Sequence, residues 1–179
     1  MIPCFKLKNL ELKPPIKQQL IVNYGKVVNN KFMGISYYHI DETTQKNIMN
    51  EFIPKNYQHF FEVTWMEITS PYIPPHTDSK VNCVINIYLD TNDAVTTFYK
   101  VNKECNTIKI ANQTDGSIFD ENSLEKIYQF KANPNEAWIL DIKQPHSVYS
   151  ENSNIDNVRT AYCVQSKVLN YESVKSILL

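Results

Sequence analysis

From about position 62 onward the hydrophobic residues alternate with polar ones in short runs rich in Val, Ile, Thr, Tyr and Phe, separated by turn residues. A repeat of two residues is the mark of a half-buried strand, and many such runs in series fit an all-β sandwich or barrel. Eight strands are expected: Glu62–Ser70, Asn82–Leu89, Val95–Val101, Thr107–Ala111, Lys126–Lys131, Ala137–Asp141, His146–Tyr149 and Arg159–Val168. Eight is the strand number of a jelly roll, so the chain reads as mainly β.

The alternation is clearest in NCVINIYL. Cys83, Ile85, Ile87 and Leu89 form one apolar face and Asn82, Val84, Asn86 and Tyr88 the other, so one face packs in a core and the other meets water or a pocket. Cys83 then reads as a small buried hydrophobe. Upstream, the one convincing helix begins at the N-cap Asp41 and runs through ETTQKNIMNEFI until Pro54 stops it. Its pairs Ile48/Phe52 and Met49/Ile53 lie four apart, which packs the helix on the outside of a sheet. With no repeat, low-complexity tract or linker, one domain is expected. N-terminal helical and edge elements would occupy 1–61, a jelly-roll core 62–168 and a tail 169–179. Residues 114–125 are expected to form an exposed loop that can act as a lid.

A chain of 179 residues buries a core without disulfides or a structural metal, so a metal bound here would be functional. The net charge of −1, from 18 basic and 19 acidic side chains, supplies no field that would draw a phosphate backbone. Lys6, Lys8, Lys13 and Lys17 form the one basic stretch and read as a solvated edge. Cys4, Cys83, Cys105 and Cys163 are scattered without a CxxC pair, as reduced thiols in a cytoplasmic protein would be. No apolar run reaches signal-peptide or membrane-spanning length. The expectation is a soluble cytoplasmic protein whose partner is a small-molecule or peptide substrate, with neither membrane nor nucleic acid involved.

Candidate chemistry starts with IPPHTDSKVN. Ligands two apart on an extended chain point to the same side, so His76 and Asp78 can offer a nitrogen and a carboxylate oxygen to one ion, and Pro74 and Pro75 stiffen the approach. Alone, such a pair is as easily a polar turn. The second half is QPHSV, where His146 opens a strand, followed by Arg159 on the returning one. If those strands pair as a hairpin centred near residues 152 and 153, His146 and Arg159 fall opposite one another and share a face. Asp141 is a strand-end polar residue that could also accept a hydrogen bond from a ligating imidazole. His39 and His59 have no partner at ligand spacing, Trp65 and Trp138 read as core, and no hydrolase nucleophile motif is present.

Two histidines and a carboxylate on one face of an octahedral ion leave the opposite face open for a co-substrate and dioxygen. With the arginine added, His76-x-Asp78, His146 and Arg159 resemble the HxD...H...R pattern of the 2-oxoglutarate and Fe(II)-dependent dioxygenases, over roughly residues 62–168. The resemblance implies a double-stranded β-helix, the cupin-like form of jelly roll, with the helix packed outside. It implies Fe(II) on His76, Asp78 and His146, 2-oxoglutarate with its distal carboxylate on Arg159, and O2 as the oxidant. Decarboxylation to succinate and CO2 would accompany hydroxylation of a peptide side chain or small metabolite. The presence of Asp78 argues for hydroxylation over halogenation. Further 2-oxoglutarate contacts are nominated by alternation: Asn86 and Tyr88, and Ser147 with Thr97 and Tyr99. The alternatives are a cupin-like metalloenzyme that does not use 2-oxoglutarate and a non-catalytic jelly-roll binding protein.

Overall fold

A computed structural model of the chain describes residues 2–28, 30–102, 107–109, 116–151 and 159–179. The strands are β1 (Cys4–Asn9), β2 (Lys17–Val28), β3 (Lys31–Ile40), β4 (Phe61–Ile68), β5 (Tyr72–Thr77), β6 (Cys83–Asp90), β7 (Val95–Val101), β8 (Thr107–Lys109), β9 (Ser117–Phe119), β10 (Leu124–Lys131), β11 (Glu136–Leu140), β12 (His146–Tyr149) and β13 (Arg159–Ser166). Two helices, α1 (Glu42–Phe52) and α2 (Tyr171–Leu178), complete the regular structure apart from two short 3₁₀ turns.

The strands form a seven-stranded sheet in the order β1-β11-β6-β13-β4-β3-β2 and a six-stranded sheet in the order β10-β7-β12-β5-β9-β8. Every pairing is antiparallel. Taken in chain order, β4, β6, β11 and β13 lie in the first sheet and β5, β7, β10 and β12 in the second. The chain therefore passes back and forth between the sheets, the winding of a double-stranded β-helix, and the molecule is a mainly β jelly roll.

The middle of the seven-stranded sheet is covered on both faces, so β6 is buried on both sides from Cys83 to Tyr88. Cys83, Ile85 and Ile87 face outward into a cluster with Ile48 and Phe52 of α1 and Tyr171 and Val174 of α2. Val84 and Tyr88 face inward, toward Met66, Ile68, Phe98 and Val148 between the sheets. Helix α1 starts where its composition predicts: Asp41 caps it by accepting the Thr44 N–H at 2.8 Å. The expected tail over 169–179 instead carries α2, capped by Asn170 accepting from Ser173 N at 2.9 Å. The N-terminal region supplies both edges of the seven-stranded sheet, β1 at one and the β2–β3 hairpin at the other. Gly25 and Gly34 face each other in that hairpin so closely that a Cβ on either would collide with the opposite strand's carbonyl.

The expected strand count of eight conceals an exchange. Seven of the expected strands belong to the winding, but β8 was counted in place of β5, the strand that carries His76. YIPPHT hides its nature because proline cannot donate to a ladder. The pairing accommodates this with a bulge: His76 opposes His146 and Ile73 opposes Val148, so β5 carries the extra residue in the Pro74–Pro75 stretch. Of the loop expected over 114–125, residues 117–119 are β9, paired with His76 and Thr77, and 121–123 form a 3₁₀ turn. Residues 114 and 115, like Ile110, Ala111 and Cys105, lie outside the described residues. The basic stretch is dispersed into ion pairs: Lys6 with Glu136, Lys8 with Glu51 and Lys17 with Glu67. Among the described residues no helix is long and apolar enough to cross a membrane.

Candidate metal centre

The site lies between the sheets, where β5 and β12 run side by side. His76 and His146 are register partners across that pair, which brings their rings to 4.4 Å between centroids. Asp78 follows the end of β5, its backbone N–H held by Ile142 O at 3.1 Å. Its Oδ1 lies 3.2 Å from His76 Nε2 and 3.7 Å from His146 Nε2. One ligand atom from each residue falls within 4.8 Å of the others, and this is the one His, Cys, Asp or Glu cluster able to hold a metal ion among the described residues.

Each imidazole is oriented in the same way. Nδ1 of His76 meets Pro74 O at 2.8 Å and Nδ1 of His146 meets Gln144 O at 3.0 Å, in each case the carbonyl two residues earlier. A carbonyl can only accept, so each Nδ1 donates its hydrogen. In the neutral rings both Nε2 lone pairs then point at the site, the tautomer a metal requires. Donors about 2.1 Å from an ion sit roughly 3.0 Å apart when cis in an octahedron. The observed Nε2–Oδ1 separations of 3.2 and 3.7 Å are longer than that value, so a small closing of the triad would seat a divalent cation of the Mn to Zn series, which the donor types suit.

The three side chains bias one another's protonation. Burial disfavours the charged form of His76, but the hydrogen bond and charge of Asp78 outweigh it and raise its pKa above the ordinary 6.5. Burial likewise disfavours the Asp78 carboxylate, and the His76 hydrogen bond with the charges of His146, His76 and Lys143 reverses this and lowers its pKa. His146 is pushed down to about 4 by burial and then by the charge on His76. Asp78 thus favours a proton on His76, while His146 is neutral near pH 7. Lys143 also donates to the Asp78 backbone carbonyl at 3.0 Å, which fixes the backbone beside the carboxylate.

His76, Asp78 and His146 line a chamber with about 50 Å³ of room for the centres of water molecules, together with Asn86, Tyr88, Thr96 and Arg159. The guanidinium of Arg159 is 3% exposed. It touches Thr96 Oγ1 at 3.4 and 3.3 Å and lies 4.5 Å above the Tyr88 ring. Its Nε has no hydrogen-bond partner, and among the described residues no carboxylate lies within ion-pair distance. Asn86 Nδ2 approaches Tyr88 Oη at 3.3 Å while Asn86 Oδ1 is buried without a partner. Exchanging the two ends of that amide lets Tyr88 donate to the oxygen and turns the NH2 group into the chamber as a second donor beside Arg159.

The route by which His146 and Arg159 meet differs from the expected one. They do not pair in a hairpin: β12 pairs with β5 and β7, while β13 pairs with β4 and β6 in the other sheet. The two residues face each other across the interior, and the connection over 152–158 lies outside the described residues. Ser147, Thr97 and Tyr99 also fall elsewhere. His146 is in register with Phe98, so Thr96 and Phe98 share its inward face and the intervening residues point out. Tyr99 Oη and Ser147 Oγ bond each other at 2.8 Å beneath an outer depression of the six-stranded sheet. Thr96 is the residue missed by this one-position phase error, and Tyr37, which also lines the chamber, was missed because β3 was not read as a strand. Asp141 accepts from Lys143 N, not from an imidazole. Trp65 is core, Trp138 stacks on Phe130, and His39 and His59 are exposed.

No family model matches the chain. No curated protein matches it significantly. Solved structures with similar folds include vicilin from Corylus avellana (hazelnut), 12% identical with a TM-score of 0.40 over 87% of this chain and 31% of that one. E. coli ycfD is 14% identical, with a TM-score of 0.39 over 64% and 28% respectively. L-ribose isomerase from Geodermatophilus obscurus is 12% identical, with a TM-score of 0.37 over 75% and 62%. This chain thus spans less than two thirds of each of these proteins, and similarity at this level carries no functional information.

Proposed function

We propose that this protein is an Fe(II)- and 2-oxoglutarate-dependent oxygenase that hydroxylates a small metabolite or a peptide side chain. The observation that carries the reading is Arg159. A guanidinium buried beside a metal-ligand triad, with an unpartnered Nε and no carboxylate within ion-pair distance among the described residues, is built for an anion supplied by a ligand. A metal triad alone suits many reactions, whereas a triad and a fixed cation in one chamber suit a dicarboxylate held at both ends.

His76, Asp78 and His146 would hold the iron, and the bound iron would supply activation of dioxygen. The chain's own residues orient and enclose. The Pro74 and Gln144 carbonyls set the two imidazoles, and Lys143 anchors the Asp78 backbone. Arg159, with Thr96, Tyr88 and the Asn86 amide around it, would receive the distal carboxylate of 2-oxoglutarate. Val84, Leu140, Ile142 and Val148 around the chamber keep bulk water from the reacting atoms.

The test is anaerobic addition of Fe(II) and 2-oxoglutarate to purified protein, followed by visible absorption. A weak charge-transfer band is expected, lost in His76→Ala, with 2-oxoglutarate binding greatly weakened in Arg159→Ala. Absence of the band in folded wild-type protein refutes the reading. Iron-dependent activity that survives Arg159→Ala points instead to a cupin-like metalloenzyme that does not use 2-oxoglutarate.

A further inference from the structure

Cross-strand partners share a face of a sheet, so the register of the seven-stranded sheet gives the order of side chains leading away from the chamber. One row runs Arg159, Ile68, Ile35, Tyr24 from β13 through β4 and β3 to the edge strand β2. The neighbouring row runs Tyr88, Ala161, Met66, Tyr37, Val22. Exposure rises along them: Met66 and Ile68 are 5% exposed, Ile35 and Tyr37 are half-buried, and Tyr24 at the edge is 41% exposed. The rows thus form a wall joining the chamber to the molecular edge. Beyond Arg159 no residue in either row carries a charge, and among the described residues the only ionic side chains lining the chamber are His76, Asp78, His146 and Arg159.

Between Tyr88 in the chamber and Tyr24 at the edge, the wall has one polar handle. Tyr37 lines the chamber, yet its hydroxyl has no hydrogen-bond partner among the described residues. Burial, followed by the charge of Asp78, raises its pKa well above the ordinary 10.0, so it keeps its proton and remains a donor. Tyr37 is half-buried and faces the chamber, so its hydroxyl is free to donate to a ligand acceptor placed there.

We propose that the substrate is an uncharged molecule, or an uncharged group of a larger one, with an apolar or aromatic body and one hydrogen-bond acceptor. It lies along Ile35, Met66 and Ile68 and accepts from Tyr37 Oη. Tyr24 stands at the entrance. Once Asp78 and Arg159 are engaged by the metal and 2-oxoglutarate, a carboxylate or ammonium on the part that enters would be desolvated against this wall without a counter-ion, which disfavours charged groups. The assignment rests on the oxygenase reading for the word substrate, but the binding it describes does not require iron.

The probes are the N-acetyl amides of Leu, Phe, Asp and Lys, titrated by saturation-transfer NMR and calorimetry against metal-free full-length protein and against zinc-loaded protein at saturating 2-oxoglutarate. The comparison of charged and apolar probes is made in the second, where Asp78 and Arg159 are engaged; 2-oxoglutarate binding is measured in parallel. The Leu and Phe amides are expected to bind at least about tenfold more tightly than the charged pair. Tyr37→Phe should weaken the Phe amide by about five- to tenfold, the loss of one hydrogen bond, while leaving 2-oxoglutarate unaffected. Tyr24→Asp, a substitution at an exposed position, should weaken both apolar amides, with circular dichroism confirming that the variant is folded. The proposal is overturned if the charged amides bind equally well, if none of the four binds, or if Tyr37→Phe changes nothing. Apolar amides that bind protein unable to bind 2-oxoglutarate would uphold the wall and remove the oxygenase reading.

Discussion

Replacing Arg159 by Met should make the metal-free, ligand-free protein more stable. Arg159 is 3% exposed, and its guanidinium contacts are two long approaches to Thr96 Oγ1 and the face of Tyr88. A hydrogen bond from a charged donor contributes about 1.5–3 kcal/mol at good geometry and less at these long distances, and a desolvated cation–π contact up to about 2 kcal/mol. Against these stands the several kcal/mol needed to take an ion out of water, plus about 1–3 kcal/mol for the unpartnered Nε. Waters in the chamber offset part of that cost. Met fills a similar volume without any of it, and comparable replacements of buried ions by apolar side chains gain about 1–4 kcal/mol. We therefore expect a gain at the low end, about 1–2 kcal/mol, or a few degrees in Tm for a chain of this length. Urea unfolding of chelator-treated wild type, Arg159→Met and Arg159→Lys measures it, with m-values compared to confirm that the denatured state is unchanged. Arg159→Lys keeps the buried charge and should show no gain. A loss of 1 kcal/mol or more in Arg159→Met would refute the reasoning, because it would mean that the fold itself satisfies the arginine.

Asp78→Asn should lower Co(II) or Zn(II) affinity by at least about 100-fold, measured by competition with a chromophoric chelator, because it removes the only anionic donor. Metal affinity should also fall as pH drops through the raised pKa of His76, since the ion must displace the proton that Asp78 favours there; calorimetry in buffers of different ionisation enthalpy would register the released proton. Ser147→Ala should leave 2-oxoglutarate binding unchanged, as Ser147 faces away from the chamber; a large loss in a titration would contradict the sheet register. Burial opposes ionisation of Glu136, but hydrogen bonds from Asn133, Lys6 and Trp138 hold its pKa down to about 2 from 4.5. Its contribution, at most about 3 kcal/mol, is present above pH 4.5 and disappears as pH falls through 2, so acid unfolding of Glu136→Gln should depend less steeply on pH in that window.

The features legible in the chain are those whose cause is local. Asp41 announces α1 because a cap needs only its own N–H partner three residues on, and Pro54 ends it for an equally local reason. The two faces of β6 are written in alternate residues, because the pleat alone decides which side each occupies. By the same logic His76 and Asp78 come to one side, as their spacing suggests.

What the tertiary structure decided is which faces and strands meet. Whether Ser147 or His146 looks inward depends on the register of β12 against β7, and a shift of one residue exchanges the two faces. Arg159 reaches His146 from the opposite sheet because β13 pairs with β4 and β6, partners far away in sequence. Tyr37 enters the chamber through a strand whose own pattern did not mark it as core. The residue types needed for a metal and an anion can be read from the sequence alone. Their meeting in one chamber depends on long-range strand pairing, which no local pattern encodes.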